Sequence, residues 1–562
     1  MENWVVTAKR ANFNQIAKDF SIDPVLARVI RNKDVIGNDA IKAYLHGGKE
    51  FLHSPWLFKD MECAVYILID KIIEKKAIRI IGDYDIDGIM ATYILEQGLK
   101  SAGANVDVMI PHRITDGYGL NGHLIQKAYE EGKDTIVTCD NGITAFDQIK
   151  EAKRLGMTVI VTDHHEILEG KIPEADAVVN HKQPDCKYPF KGLCGGAVAY
   201  KLITALYEKM GLPKTESDKY LEYAAFATVG DVMDLVEENR IIVKEGLKLL
   251  RNTKNYGFRE LMRANSIEPE LLSSYHIGFV LGPCLNASGR LDTALRALEL
   301  LRTDNVVDAA RLAGDLKNLN DSRKELTLLG VEEAVLQVET SDWKKDKVYV
   351  IYLPDCHESL AGIIAGRIRE AYHHPVFVLT KGEDGVKGSG RSIEAFHMFE
   401  EMVKCQECFT HFGGHKMAAG LSMREEDIES FRQKINALCD LTEQDFIPKI
   451  TIDVPMPVSY VSKELIQQLD LLEPFGKGNT KPVFAQKNVR ALSYRIVGKN
   501  RNVLTMRMSD ECGNVADGIC FQNIEGLQEL ILRDQPFSIT YYPSINVFNG
   551  RESIQIVISH YR

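Results

Sequence analysis

At 562 residues the chain is too long for one hydrophobic core, and about three or four domains are expected. Its 45% apolar and 26% charged content is that of an ordinary globular protein, and no apolar stretch approaches the roughly 18 residues of a membrane span. The formal net charge of −11 argues mildly against a nucleic-acid partner, although carboxylates gathered around metals would subtract charge locally and leave room for a basic groove.

The N-terminal stretch carries Lys9 and Arg10 with no apolar run behind them, so no signal sequence is expected. Eleven irregularly scattered cysteines read as free thiols of a reducing cytoplasm. From about residue 75 to 235 short apolar runs alternate with helical patterns, which predicts parallel βαβ units. AIRII (Ala77–Ile81), DTIVTC (Asp134–Cys139), TVIVT (Thr158–Thr162) and AVVN (Ala177–Asn180) read as buried strands. MECAVYILIDKIIEKK before them and AFDQIKEAKRLG between them read as amphipathic helices. Residues 293–339 lack proline and place Leu312, Leu316 and Leu319 at helical spacing, predicting one or two long helices that bridge two lobes. KVYVIYL and PVFVLT then begin a second α/β lobe. After about residue 450 short strands such as VLTMRMSD, PFSITYY and SIQIVIS suggest a small β-barrel.

The acids fall in a pattern. Asp83, Asp85 and Asp87 follow the first strand, Asp140 the next, and Asp163, His164 and His165 a third; Asp231 follows a further apolar run, AFATVG. In an open parallel sheet the crevice outside the carboxyl ends of the strands is where ligands bind. One Asp after a strand is ordinarily a helix N-cap, but four segments delivering acids and imidazoles to one edge are too repulsive without cations. Such ligands suit Mn²⁺ or Mg²⁺ better than a thiolate zinc site. They are numerous enough for two ions roughly 3.5–4 Å apart, the arrangement for in-line attack on phosphorus. Cys405, Cys408, His411 and His415 imitate a zinc spacing, but Cys405 and Cys408 fall in a helical pattern.

DYDIDG, TCDNG, TDHH and VGDVMDL, in this order, resemble the four motifs of the DHH phosphoesterase superfamily. By that resemblance Asp83, Asp85, Asp140, His164 and Asp231 are metal ligands, Asp163 orients the site, and His165 binds or protonates the reacting phosphate. PHRITDGYGLN, IGFVLGPCLNASGRLD, KGSGRSIEAF, FGGHKMAAG, LEPFGKGNTKPVF and VFNGRESIQIVI resemble the RecJ type in particular. The resemblance implies a two-ion exonuclease that degrades single-stranded DNA from the 5′ end in repair and recombination, with a helicase and a single-strand-binding protein as candidate partners. The fold implied is α/β: a DHH parallel-sheet domain and a DHH-associated α/β domain joined by a long helix, with a C-terminal OB-like barrel. The corresponding spans are 1–60, a helical extension packed on the catalytic lobe; 61–265, catalytic; 266–340, helical connector; 341–450, substrate-binding; and 451–562, the strand-binding barrel.

Arg113, Tyr118, Asn286, Arg290, Ser389, Arg391 and His415 are the implied substrate-binding residues. GSGRS is expected to be a permissive loop whose N–H groups approach an anion, with Arg391 beside them, and Arg290 in the ASGR turn and Arg113 in PHR are further guanidinium donors. Lys499, Arg501 and Phe548 are candidates in the barrel. Two positions depart from the family pattern: Cys284 stands where Arg is expected and His181 where Pro is usual. Rival readings are a DHH oligoribonuclease or cyclic-dinucleotide phosphodiesterase, against which the barrel and GPCLNASGR argue, and a non-catalytic replication scaffold, against which the intact acidic set argues.

Overall fold

The computed structural model describes residues 2–112, 116–117, 119–382, 385–548 and 550–562. The chain forms two compact units. One comprises Trp4–Gly289, Thr293–Ala313 and Thr451–Arg562, and the other Arg290–Asp292 and Gly314–Ile450 with the extreme N-terminus.

The first unit opens with helices α1 (Phe13–Phe20), α2 (Pro24–Asn32) and α3 (Asn38–His46). After α4 (Met61–Ile73) come the strands β1 (Ala77–Ile81), β2 (Asn105–Met109), β3 (Thr135–Cys139), β4 (Thr158–Thr162) and β5 (Ala177–Val179). They form one wholly parallel sheet in the order β2-β1-β3-β4-β5. Ile80, Val137 and Ile160 are cross-strand partners at its fully buried centre. Continuous β-branched runs are what a sheet buried on both faces requires. Helices α5 (Ile86–Ser101), α6 (Phe146–Arg154) and α7 (Gly195–Lys209) follow strands of this sheet.

The run before Asp231, read from sequence alongside the strand ends, is instead helix α8 (Leu221–Gly230), packed on α5 and α7. LEYAAFATVG is buried through Thr228, and burial all round erases the periodicity that separates a short apolar helix from a strand. The GPCLNASGR segment is likewise helix α10 (Gly282–Leu291), after α9 (Glu237–Leu250), so Arg290 sits in a last helical turn and not in a loop.

The long helix expected from the leucine spacing is α11 (Val306–Thr340), uninterrupted for 35 residues. In the second unit β6 (Tyr349–Tyr352), β7 (Val376–Gly382), β8 (Gly385–Arg391), β9 (His411–Gly414) and β10 (Ala418–Met423) form a mixed sheet in the order β9-β10-β8-β7-β6, with α12 (Ala361–Tyr372) packed on β7 and β8. The GSGR run expected to be a loop lies within β8, paired on both sides with β7 and β10. Its glycines serve packing: a Cβ on Gly388 would meet Leu379 Cδ2 at 2.4 Å, and one on Gly390 would meet Met398 Sδ at 2.3 Å.

At the C-terminus β11 (Phe484–Val497), β12 (Val503–Ser509), β13 (Val515–Cys520), β14 (Phe537–Phe548) and β15 (Arg551–Tyr561) pair in the order β11-β12-β13-β15-β14. Pairing of β14 with β11 closes them into an OB-like barrel. Closure removes the exposed sheet edges. Leu26, Ile30 and Leu45 of the N-terminal helices lie in one core with Val454, Leu469, Phe484 and Tyr541, so the extension expected on the catalytic lobe shares its apolar core with the barrel segment. Among the described residues no helix is long and apolar enough to cross a membrane.

Arg240 of α9 ties these parts together. Its fully buried guanidinium donates to the carbonyl oxygens of Tyr44 (3.1 Å), Leu472 (2.9 Å) and Leu471 (2.9 Å), and lies 4.1 Å from the Tyr44 ring centroid. Replacing it strands three buried acceptors. Arg240→Met should cost on the order of 3 kcal/mol and lower the urea midpoint, with Arg240→Lys recovering only part. An unchanged midpoint in Arg240→Met would show that the barrel and N-terminal helices are held without this residue.

Candidate metal centre

The carboxyl ends of β1, β3 and β4 and the end of α8 converge on one cluster. Asp85 is the N-cap of α5 and accepts the N–H groups of Asp87 (2.9 Å) and Gly88 (3.0 Å), so the N-cap role and the cluster role fall on the same residue. Asp87, in the first turn of α5, is completely buried. Its two oxygens accept the N–H groups of Gly195 (2.6 Å) and Gly196 (2.7 Å) at the start of α7. A Cβ on Gly195 would come within 2.7 Å of Asp140 Cβ, and one on Gly196 within 2.6 Å of Ala227 Cβ, so the paired glycines permit this approach.

Asp140 follows β3 with φ 61°, a left-handed conformation that Asp tolerates better than most residues. Asp231 caps the C-terminus of α8. There Met233 N–H donates to Thr228 O (3.1 Å) and Val232 takes the left-handed position at φ 56°, where glycine is usual. A β-branched residue there stores roughly 1–3 kcal/mol of strain, which the surrounding packing must offset to aim Asp231.

His164 Nε2 lies 3.1 Å from Asp140 Oδ1, 3.6 Å from Asp87 Oδ2 and 3.8 Å from Asp231 Oδ2. Three sets of donor atoms each fall within 4.8 Å of one another: Asp83, Asp85 and Asp140; Asp87, His164 and Asp231; and Asp140, His164 and His165. Burial, then Asp87, raises the Asp85 carboxyl; burial and the neighbouring aspartates raise Asp140 well above the ordinary range. Burial, then Asp87 and Asp85, brings Asp231 up to about 8. Burial also disfavours a charged His164, which leaves an imidazole suited to coordination. A donor set this rich in buried carboxylate fits hard divalent cations.

Asp163 sits one layer behind. It accepts the N–H groups of His164 (2.7 Å), His165 (3.1 Å) and Ile143 (2.9 Å), and lies 2.8 Å from His165 Nδ1. Burial opposes its charge, but these bonds bring its carboxyl below the usual value. Burial likewise opposes a charged His165, yet the bond to Asp163 carries that ring up to about 9.

All seven acids and histidines to which the resemblance gives a role lie in this cluster or directly behind it. Asp87 carries no role in the sequence reading; its place in the alternating DxDxD run is the signal that points to it. Asn286 Oδ1 accepts the N–H of Ile86 (2.9 Å), so this side chain braces the loop that carries Asp85 and Asp87. Arg290, Ser389, Arg391 and His415 belong to the second unit. There Arg290 Nη1 donates to Ser359 O (2.8 Å) beside α12. Arg391 lies against Gly362 in the first turn of α12, where an added Cβ would be 2.6 Å from Nη2. Its guanidinium, disfavoured by burial and then by Arg369, has no carboxylate partner among the described residues. Ser389 lies on β8 opposite Gly420, whose Cβ direction is open, and His415 is exposed in the β9–β10 hairpin. Arg113 and Tyr118 lie outside the described residues.

The two departures have structural accounts. His181 is a core residue whose Nε2 donates to Lys191 O (2.9 Å), with the ring edge-on to Phe58, and burial lowers it to about 3. Cys284 is buried in α10 with Sγ 3.2 Å from Val280 O. Cys405 and Cys408 are buried in the apolar core of the second unit.

Family models match three stretches: the DHH family N-terminal domain at 77–228, the DHHA1 domain at 345–440 and the RecJ OB domain at 452–560. The single-stranded-DNA-specific exonuclease RecJ of Bacillus subtilis is 34% identical over 547 residues, 97% of this chain and 68% of the relative. That of Escherichia coli is 32% identical over 569 residues, covering 96% of each. The chain belongs to the RecJ family. RecJ from Thermus thermophilus, solved in complex with Mn²⁺, superimposes on all of this chain with a TM-score of 0.86 at 28% identity, covering 79% of that structure. The Mg²⁺ complex gives 0.80 at 26% identity, covering 78%. A RecJ-family fold that crowds these carboxylates depends on cations.

The apo cluster has a pH signature. Folded Asp231 keeps a proton to about 8, while an unfolded Asp loses it near pH 3.9. The unfolded state therefore binds fewer protons above about pH 4, and stability declines from there to about pH 8. His165 acts with the same sign between about 6.5 and 9. In chelator the melting temperature should fall by several degrees between pH 5 and 8, and Mn²⁺ should restore it most at the alkaline end. A flat or rising apo profile would contradict the electrostatic account of the cluster.

Proposed function

We propose that this chain is a metal-dependent exonuclease that removes nucleotides from the 5′ end of single-stranded DNA. The observation that carries the reading is the buried carboxylate–histidine cluster at the strand ends, in a chain of the RecJ family. Asp83, Asp85, Asp140, His164 and Asp231 hold Mn²⁺ or Mg²⁺, and Asp87, fixed by two backbone N–H groups, belongs with them. When bound, the ions supply Lewis-acid stabilisation of charge at phosphorus and a water acidic enough to attack it near neutral pH. Asp163 fixes the ring of His165 through Nδ1, and the charged ring donates a hydrogen bond from Nε2 to the reacting phosphate. Asn286 holds the α5 loop so that Asp85 and Asp87 keep their positions.

Polarity is assigned to the second unit. Arg290 and Arg391 reach the N-terminal end of α12, where backbone dipole and guanidinium groups together favour an anion, and Ser389 presents a hydroxyl from the neighbouring strand. A terminal 5′-phosphate is the ligand this set recognises. The barrel holds the rest of the strand by backbone electrostatics and base stacking. The chain works in the cytoplasm, in DNA repair and recombination, on strands exposed by a helicase and coated by a single-strand-binding protein.

A 5′-labelled and a 3′-labelled oligonucleotide, single- and double-stranded, should show Mn²⁺- or Mg²⁺-dependent release of the 5′ label first, from the single strand only, and none in EDTA. Arg290→Ala, Ser389→Ala and Arg391→Ala should each weaken use of 5′-phosphorylated strands about 10- to 150-fold more than 5′-hydroxyl strands, for a charge-assisted bond worth roughly 1.5–3 kcal/mol. Equal losses on both substrates would place these residues along the backbone track, and early loss of the 3′ label would reverse the polarity.

A further inference from the structure

Tyr275 and Phe279 are the most exposed pair of neighbouring aromatic side chains among the described residues of the first unit, at 62% and 71%. They lie four positions apart, with ring centroids 5.1 Å apart and planes inclined by only 27°. Ile277 and Leu281 from the same segment are buried, so the segment is anchored from below while the two rings face solvent. Residues Ile277–Leu281 form a π-helical turn, an irregularity that recurs at functional sites.

The surroundings place this pair beside the chemistry. A Cβ on Gly278 would contact Val229 at 3.6 Å, two residues before Asp231. A Cβ on Gly282 would lie 3.1 Å from Ile86, the residue between Asp85 and Asp87. The segment thus packs on two of the elements that present acids to the metal centre, the start of α5 and the end of α8. On its other flank Ser274 Oγ donates to Phe475 O (2.5 Å). The Phe475 ring stands edge-on to Tyr542 of β14 at 6.3 Å, and Lys481 Nζ lies 4.0 Å from the Tyr542 centroid. Within this one unit the exposed pair therefore sits between the metal centre and an aromatic cluster at the barrel, where Lys481 lies beside Asp470 and Glu473.

We propose that Tyr275 and Phe279 form a stacking platform for an unpaired base of the DNA strand on its way from the barrel to the metal centre, an inference that rests on the single-strand exonuclease reading. Every base has a π-face, so such a platform is indifferent to sequence. Bases inside a duplex have both faces covered by their neighbours, so the platform also favours single over double strands.

The test uses the full chain with Mn²⁺, a long single strand, the same strand with one abasic position walked along it, and a 5′-phosphorylated dinucleotide. Tyr275→Ala/Phe279→Ala should raise KM on the long strand about 5- to 150-fold, with kcat, turnover of the dinucleotide and the melting temperature unchanged. One abasic position should reproduce that loss in the wild type and cause no further loss in the double variant. Tyr275→Phe/Phe279→Tyr should behave as wild type. Tyr275→Gln/Phe279→Gln, which keeps polar bulk on the surface, should match the alanine pair and separates lost stacking from a folding defect. An unchanged KM, an equal loss on the dinucleotide, or additivity with the abasic substitution at every position would overturn the platform. If the wild type fails to degrade single strands, the functional reading falls and the platform with it; a working wild type beside an unaffected double variant overturns the platform alone.

Discussion

The mutual repulsion of the aspartates crowded around His164 is the constraint on which the rest of the structure depends. Asp83, Asp85, Asp87, Asp140 and Asp231 come from three separate segments, and so many charges cannot coexist at such close range, three of them buried, without cations. The scaffold accepts this cost locally. Asp140 and Val232 adopt left-handed backbone, Gly195 and Gly196 give up side chains to let α7 approach, and Asp163 gathers three N–H groups to hold the two histidines. Each feature is unfavourable or neutral for folding alone and becomes intelligible as aiming.

The stiffness that aiming requires comes from the packing behind the cluster. The parallel sheet is apolar on both faces, so the strand ends that carry acids cannot shift without breaking a close-packed core. Around it buried polar links fix the accessory segments: Arg240 joins three backbone carbonyls, and Lys201, Glu238 and Tyr188 form a buried network against the 50s segment. The N-terminal helices and the barrel share one core, so cutting the chain near residue 450 would strip Leu26, Ile30 and Leu45 of their partners as well as removing the barrel. Strand-binding by the barrel is therefore better probed by surface substitution than by truncation.

Much of this was legible in the sequence, for identifiable reasons. Runs such as TVIVT admit one interpretation because β-branched continuity and flanking helical patterns agree, and acids placed just beyond them declare a site. Asp231 was placed in the cluster but on the wrong kind of element, because a ten-residue apolar run carries no period. GSGRS was misread as a loop because glycine signals both backbone freedom and close packing, and only the positions of Leu379 and Met398 distinguish them. His181 is explained only by Lys191 and Phe58, which the fold brings around it. Asp87 stood in plain view, but its partners Gly195 and Gly196 lie more than a hundred residues away in sequence. Long-range partners of that kind are beyond local pattern.

The acidic cluster is built to hold divalent ions, and its donor sets are numerous enough for a pair. Anomalous diffraction at the manganese edge, on crystals of the full chain soaked in Mn²⁺, tests it most directly. Two peaks roughly 3.5–4 Å apart are expected, bounded by Asp83, Asp85, Asp87, Asp140, His164 and Asp231. A single peak, or none among these residues at saturating Mn²⁺, would contradict it.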